Sequence, residues 1–571
     1  MSVFSLDVSK DNPVTVTDLE RACEILGVSI KDAEKDEYVN LLAVYHDSMA
    51  RLMAMEDYSP AVDHDRFERK NVHFATPEEN PFGAWAWKCD ISDKDSNASA
   101  LLHGKSVALK DCIAVKDVPM LLGTNFFTDY TPGTDATIVT RMLRHGAVIA
   151  GKSTCENLCH SATSHTAATG VVHNPYAKGY ASGGSSSGSA VLVALGPENG
   201  GVDYAIGADQ GGSIRVPAAW CGIVGFKPTF GLVPWTGAGS NEPTNDHMGP
   251  MTRDVLSNAR LLKAIAGTDF VDDRSYGAPP PERIPAYHEQ LEALTDAKDL
   301  SGLRIGIPGE GLLTPALDPR VKECFLDAAE KFRSLGAEVE EVSVPMHTLA
   351  SIAWTGISKL GGYVNKTLAL GGRRGYQLTD LNEKLWPLTQ EKWDNAIPST
   401  KNIFLNGVYA QDMQKFPGVL GKATNLSLKA RHGYDAALGD WTSISTFVTE
   451  QQLAELKKQK TYDVLISPTL PYVAKSHPEL EAGGALGNPI LQLQKQVGLT
   501  GNTAPLNQTG HPALAMPIGM LDIEEGPLSG SGTKLPVSMQ IIGKWWDEEM
   551  VYRVAYAWET AVGGPEAWKR L

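Results

Sequence analysis

The chain lacks a surplus of positive charge, a long apolar run and a paired set of zinc half-sites. It carries 51 Lys and Arg against 67 Asp and Glu, a net charge of −16. Such a surface repels phosphate backbones, and no Lys/Arg run makes a local basic patch, so nucleic acid is not an expected partner. No apolar stretch approaches the roughly 20 residues of a membrane helix, so no membrane partner is expected either. The opening "MSVFSLDVSK" has neither a basic lead nor an apolar core, and a secretory signal is not expected. Cysteines number seven in 571 residues. An odd count in a large chain fits free thiols in a reducing, cytoplasmic compartment better than a disulfide frame. Cys155 and Cys159 are four apart, with His160 and His165 close by, but a second pair is missing. Residues i and i+4 merely share a helix face, so neither a metal nor a cofactor is expected.

What is present reads first as helix, then as alternating strand and helix. Thr17 to Glu20 has the spacing of a capping box, followed by Leu19, Ala22, Cys23 and Leu26 at helical spacing and a closing Gly27. A second helix carries Tyr38, Leu41, Leu42, Tyr45, Met49, Leu52 and Met53 on one stripe, which must pack on the main body or on another copy of the chain. The segment "NVHFATPEENPFGAW" reads as a loop that separates this pair from the rest. From about residue 100, "KSVALKDCIAV", "AVIAGK", "VDYAIGA", "GLRIGIPG", "EVEEVSV", "YDVLISPTLP" and "LPVSMQIIG" read as strands. Helices lie between them, among them "ATIVTRMLRHG" and one capped by Asp318-Pro319, and a last helix carries Val551, Val554 and Trp558. Strands alternating with helices imply a layered α/β domain. Residues 346–456 read as mainly helical and able to cover a site.

Two motifs mislead. "GAVIAGKS" (146–153) matches the phosphate-loop pattern, yet its variable positions are Ala-Val-Ile-Ala, which form a strand rather than a loop after one. "GSSSG" (184–188) matches a nucleophile elbow around Ser186, but "KGYAS" before it is not the buried strand an elbow requires. Nor is the patch a flexible linker, because it runs directly into the apolar "AVLVALG".

The stretch "YAIGADQGGSIRVPAAW" brings Ser213 to a strand-to-helix junction behind two glycines, with Pro217 tolerated in the first helical turn. The bare backbone of Gly211 and Gly212 can turn its N–H groups toward one point, as an oxyanion hole requires. A glycine turn with a helix-capping serine accounts for the same letters. No histidine lies within thirty residues of Ser213 to take its proton. Lys110, inside "VALKDCIAV", is a candidate base: burial on a strand disfavours its ammonium form. A buried lysine is also commonly ion-paired, but Asp111, its neighbour, points to the other face.

"LKD", "GGSSSGSA", "GADQGGSIRVPAAWCGIVGFKPTFGLVP", "GPMTRDV" and "TAPLNQTGHPALAMP" together resemble the amidase signature family of serine hydrolases, over roughly 100–571. The resemblance implies an α/β fold: a central mixed β-sheet covered by helices, with an N-terminal α-helical extension (1–85) and a catalytic domain (86–571) that includes the helical subdomain at 346–456. It implies a Ser–cis-Ser–Lys triad in which Ser213 is the nucleophile, Ser185 the bridge after a cis peptide bond, and Lys110 the base. It further implies oxyanion donors at the N–H groups of Gln210, Gly211, Gly212 and Ser213, and bracing roles for Ser186, Asp209 and Arg215. Where the family commonly has glycine, this chain has Ser187, and "GPENGGVDY" adds a small insertion. The helical N-terminus, "CENLC" and "TGA" resemble amidases that accompany nitrile metabolism, in which such helices help form a homodimer; a dimer through residues 1 to about 80 is expected. The expected reaction is hydrolysis of small-molecule carboxylic amides through an acyl-enzyme. The alternatives are carbamate cleavage (a urethanase), a role within a glutamine-dependent transamidase, and a non-catalytic binding protein. Pocket walls are expected from 346–456 and from the loop after Trp235.

Overall fold

The computed structural model describes residues 6–314, 316–367, 373–413, 415–477 and 488–571. The described chain divides into two units, Met1–Pro60 and Ala61–Leu571. The first holds α1 (Val16–Leu26) and α2 (Lys35–Met53). The cap of α1 is Thr15, two residues earlier than the expected Thr17, and its boxed partner is Asp18 rather than Glu20. Asp18 reaches the Thr15 backbone N–H at 2.8 Å, so the shorter acid fits the turn. Gly27 closes α1 in the left-handed conformation, as expected. On α2, Ala43 and Val44 are buried, whereas Tyr38, Leu41, Tyr45, Met49 and Leu52 stay exposed.

Among the described residues the second unit holds a sheet of twelve strands. In chain order these are β1 (Arg69–Phe74), β2 (Trp85–Ile91), β3 (Ser106–Lys110), β4 (Val148–Ser153), β5 (Tyr204–Asp209), β6 (Val224–Lys227), β7 (His247–Thr252), β8 (Arg304–Pro308), β9 (Glu338–Val342), β10 (Val464–Pro468), β11 (Ala513–Asp522) and β12 (Lys534–Ile542). Their spatial order is β1-β2-β4-β3-β5-β7-β6-β11-β12-β10-β8-β9. The sheet is mixed: β3 runs parallel to β4 and β5, and β5 runs antiparallel to β7. "NVHF" is therefore not a loop, because it lies in β1 and pairs with β2. β1 and β2 thus lie within the second compact unit, which begins at Ala61.

Strands β4 and β5 and the helices Thr137–Arg144, Ser187–Leu195 and Arg215–Cys221 surround the site. β5 is buried along its whole length, between β3 and β7, as its apolar run requires. Helix α3 (Thr137–Arg144) leads into β4, which contains Gly151, Lys152 and Ser153. The phosphate-loop look-alike is thus a strand, and Lys152 donates to Asp111 at 3.1 Å. α4 (Ser187–Leu195) and α5 (Arg215–Cys221) pack on each other, and α4 lies on β5. Residues 346–456 supply mainly helices, including Met346–Gly356, Pro398–Gly407 and Val419–Leu438.

Candidate active site

Lys110 is the last residue of β3 and is fully buried. Its Nζ lies 2.8 Å from Ser185 Oγ and donates to the Ala208 carbonyl at 3.0 Å. Among the described residues it meets no carboxylate. Asp111, next in the chain, instead accepts from Lys152 and from the Leu121 N–H.

Ser185 follows a cis Gly184–Ser185 peptide bond. Glycine is required at 184 by close approach: a Cβ there would fall 2.7 Å from the Ser161 carbonyl oxygen. The serine-rich block is tied down residue by residue. Ser186 donates through Oγ to the Ala208 carbonyl and accepts from the Ala208 N–H, both at 3.2 Å. Its own N–H donates to the Ser213 carbonyl. Ser187 donates to Glu156 Oε1 at 2.8 Å, which gives the extra hydroxyl a definite partner. Because the Ser186 hydroxyl is engaged with β5, and no histidine among the described residues hydrogen-bonds it, the elbow reading has no base.

Ser213 stands between β5 and α5, half-buried, while its neighbours Gly212 and Ile214 are buried. The turn is held by Asp209, whose carboxylate accepts from the Gly212 N–H (2.7 Å), the Ile214 N–H (3.0 Å) and Asn507 Nδ2 (2.8 Å). Arg215, also fully buried, pairs with it at 3.1 Å and donates to Gln540, Asn507 and the Thr503 carbonyl. Burial would raise the Asp209 carboxyl, but Arg215 and the N–H donors hold it well below the usual carboxylate range. Gly212 has φ of +135°, a conformation that side chains rarely adopt.

This network corrects one expected donor. The Gly212 N–H points at Asp209, so it is not available to a developing oxyanion. The N–H groups of Gln210, Gly211 and Ser213 carry no hydrogen bond within the described residues. Trp354 Nε1 donates to the Gln210 carbonyl at 2.8 Å and Thr503 Oγ1 to the Gly211 carbonyl at 2.7 Å. Both peptide units are thereby held from their carbonyl side.

Lys110, Ser185 and Ser213 line one small cavity together with Cys112, Cys159 and Trp235. A second cavity of about 180 Å³ shares Ser213 and Gln210 and is walled by Trp354, Lys359 and Ile403 from 346–456. Leu493, Gln496 and Thr500 complete that wall from a segment given no such role by sequence. A larger cavity of about 440 Å³, lined by Tyr287 and Tyr552 among others, contains none of the triad residues.

Burial acts first on Lys110 and favours the uncharged amine; negative charge on Cys159, Cys112, Cys155 and Asp209 opposes burial and raises the amine above its ordinary value. Burial, however, pushes the Cys155 thiol well above its usual range. An ordinary thiol, with a pKa near ~8.5, is mostly protonated at neutral pH, and the Asp209 charge is met by Arg215. With the thiols protonated, desolvation governs and favours the neutral amine. Glu156, missed by sequence reasoning because "CENLC" draws attention to its cysteines, is also buried; burial pushes it up to about 7 against hydrogen bonds from Thr166 and Ser187. Asn507 was legible only as a letter inside "TAPLNQTGHPALAMP".

A model of the family described as Amidase matches residues 70–552. An enantioselective amidase of Rhodococcus rhodochrous is 36% identical over 514 residues, covering 86% of this chain and 86% of that protein. A glutamyl-tRNA(Gln) amidotransferase subunit from Exiguobacterium sibiricum is 31% identical over 501 residues, covering 88% of this chain and 92% of that protein. Among solved structures, native peptide amidase from Stenotrophomonas maltophilia has a TM-score of 0.56 at 26% identity, over 82% of this chain and 84% of that one.

Proposed function

The chain belongs to the amidase signature family, and on that premise we infer that it is an amide hydrolase in which Ser213 is acylated. Ser213 Oγ attacks the amide carbonyl while its proton passes to Ser185 and from Ser185 to the neutral Lys110 amine. The same relay returns the proton to the leaving amine, and water then releases the acid. The N–H groups of Gln210, Gly211 and Ser213 receive the charge that develops on the carbonyl oxygen. Asp209, Arg215 and Ser186 hold the two loops in register.

The observation that carries this reading is the 2.8 Å approach of Lys110 Nζ to Ser185 Oγ, in the cavity that Ser213 also lines. The test is a serine-directed fluorophosphonate followed by peptide mapping, with Ser213→Ala as the control. Labelling at Ser213 supports the reading; labelling at Ser186 or elsewhere overturns it. A panel of aliphatic amides, anilides and alkyl carbamates then separates an amidase from a urethanase. A transamidase component needs partner proteins, so activity of the purified chain alone excludes that role.

We also propose that two copies associate through residues 1 to about 80. The exposed apolar stripe on α2 supports this, and light scattering of the full chain tests it. No helix of the described residues is long and apolar enough to cross a membrane. Seven cysteines with no disulfide among them support a reducing, cytoplasmic setting.

A further inference from the structure

The cavity of about 180 Å³ beside Ser213 contains one positively charged side chain, Lys359, and no carboxylate among its described lining residues. Lys359 lies in the π-helical turn Ile357–Gly361, which continues Met346–Gly356. Within the described residues its ammonium donates no hydrogen bond and faces no acid in an ion pair. Lys359 is partly buried, whereas the fully buried lysines Lys152 and Lys227 do have partners: Lys152 has Asp111, and Lys227 donates to the carbonyls of His511 and Pro228. Burial alone acts on Lys359 and pushes its amine below the ordinary lysine range.

An ammonium partly withdrawn from water gains from a counter-charge, and none stands beside Lys359 among the described residues. Trp354, Ile403, Leu493 and Val216 supply the cavity's apolar lining. The Trp354 indole is fixed by its hydrogen bond to the Gln210 carbonyl, and a Cβ on Gly211 would lie only 2.6 Å from the ring. The cavity is thus a slot of mixed apolar and neutral polar lining beside the nucleophile, with one lysine on its wall that has no acid beside it among the described residues.

Resting on the amidase reading above, we propose that Lys359 is a specificity-determining residue that pairs with a carboxylate carried by the substrate. The favoured substrates are amides that bear a second, acidic group. That group can sit on the acyl side, as in the monoamide of a dicarboxylic acid, or on the amine side, as in an N-acyl amino acid. On this account the substrate supplies a counter-charge that the described residues do not, and Lys359 acts on binding rather than on proton transfer.

The experiment compares length-matched substrates. Glutaramic and adipamic acids are set against pentanamide and hexanamide, and N-acetyl amino acids against the corresponding N-acetyl alkylamines. Each is measured with the wild type, Lys359→Met and Lys359→Arg. A charged hydrogen bond lost in Lys359→Met is expected to lower kcat/KM for the acidic substrate roughly 10- to 100-fold, mainly through KM. The neutral amide should change less than about 3-fold, and Lys359→Arg should keep most of the preference. Which acidic series depends on Lys359 tells the acyl side from the amine side. An unchanged acidic-to-neutral ratio in Lys359→Met overturns the proposal while leaving the amidase reading intact. Failure of the wild type on every amide overturns that reading instead. Should Lys359→Met not fold, competition in the wild type decides. Glutarate must inhibit hydrolysis of the neutral amide competitively and more strongly than the uncharged glutaramide, and equal inhibition by the two overturns the proposal.

Discussion

Lys110 Nζ and Ser185 Oγ lie 2.8 Å apart although 75 residues separate them in the chain. The approach exists because β3 ends beside β5, and the serine-rich loop is clasped to Ala208 of β5 through Ser186. Removing the amine leaves Ser185 with no base. Lys110→Ala is therefore expected to lower kcat by about 10²- to 10⁴-fold or more, with an unchanged circular dichroism spectrum. Full activity of Lys110→Ala at neutral pH would defeat the relay.

Asp209 and Arg215 form a fully buried pair, and each also holds backbone groups of the nucleophile turn or its neighbours. Asp209→Asn strands the guanidinium, and Arg215→Met strands the carboxylate. Each single change is expected to cost about 3–5 kcal/mol in urea unfolding. The double variant should lose clearly less than the sum of the two, because neither charge is then left alone. Additive losses would show that the pair is not the unit that holds the turn.

These two pairs differ in how far they could be read in advance. Lys110 and Ser213 stood out locally as a lysine among strand residues and a serine after paired glycines, but the triad, and the role of Ser185 in it, came from the family resemblance. Strands β5, β8, β10 and β12 were legible from apolar runs, and β9 from valines interspersed with glutamates. β7 was not, because "HMGPMT" contains glycine and proline and shows no strand pattern, yet it pairs with β5 from Tyr204 to Asp209. The availability of an oxyanion donor was not legible either. Two consecutive glycines offer two N–H groups, but only the side chain of Asp209 reaching back to Gly212 decides which remains open. Lys359 sits in a segment without clear periodicity, and its place on the cavity wall is a property of the fold.

Gly211 faces the Trp354 ring so closely that a methyl group there would lie 2.6 Å from it. Gly211→Ala must push the indole away or twist the peptide unit whose N–H is the proposed oxyanion donor. Loss of one such donor costs about 3–4 kcal/mol of barrier. Gly211→Ala is expected to reduce kcat at least about 10²-fold, and Gly211→Ala with Trp354→Ala to recover part of the loss. A normal kcat in Gly211→Ala would remove this peptide from the oxyanion site.

Ser187 donates to Glu156 Oε1 at 2.8 Å, and this bond lowers a carboxyl that burial has pushed up to about 7. Without the hydroxyl the charged form loses a donor, so the pKa rises further above 7. Glu156 also accepts from the Thr166 N–H and Oγ1, contacts that favour its ionised form, and its own N–H donates to the Ser185 carbonyl. In Ser187→Ala the acid limb of the kcat–pH profile should move upward by about one unit or less, with kcat recovering at alkaline pH. An unmoved limb would show that Glu156 does not set the loop that carries Ser185.

Glu559 tests the same physics away from the site. It is nearly buried, accepts from the Val255 N–H at 3.0 Å, and burial together with Asp254 pushes its carboxyl up to about 8 from an ordinary 4.5. A raised acid holds its proton more tightly in the folded chain than in the unfolded one. Its favourable contribution is therefore full below the unfolded value, falls as pH rises toward about 8, and is gone above that. Glu559→Gln keeps a carbonyl for the Val255 N–H and cannot ionise. The variant is expected to gain on the wild type by about 1–3 kcal/mol between roughly pH 5 and pH 9, read from urea unfolding at the two limits. Parallel stability curves for the two proteins would mean that Glu559 reaches water on ionising and that burial does not control it.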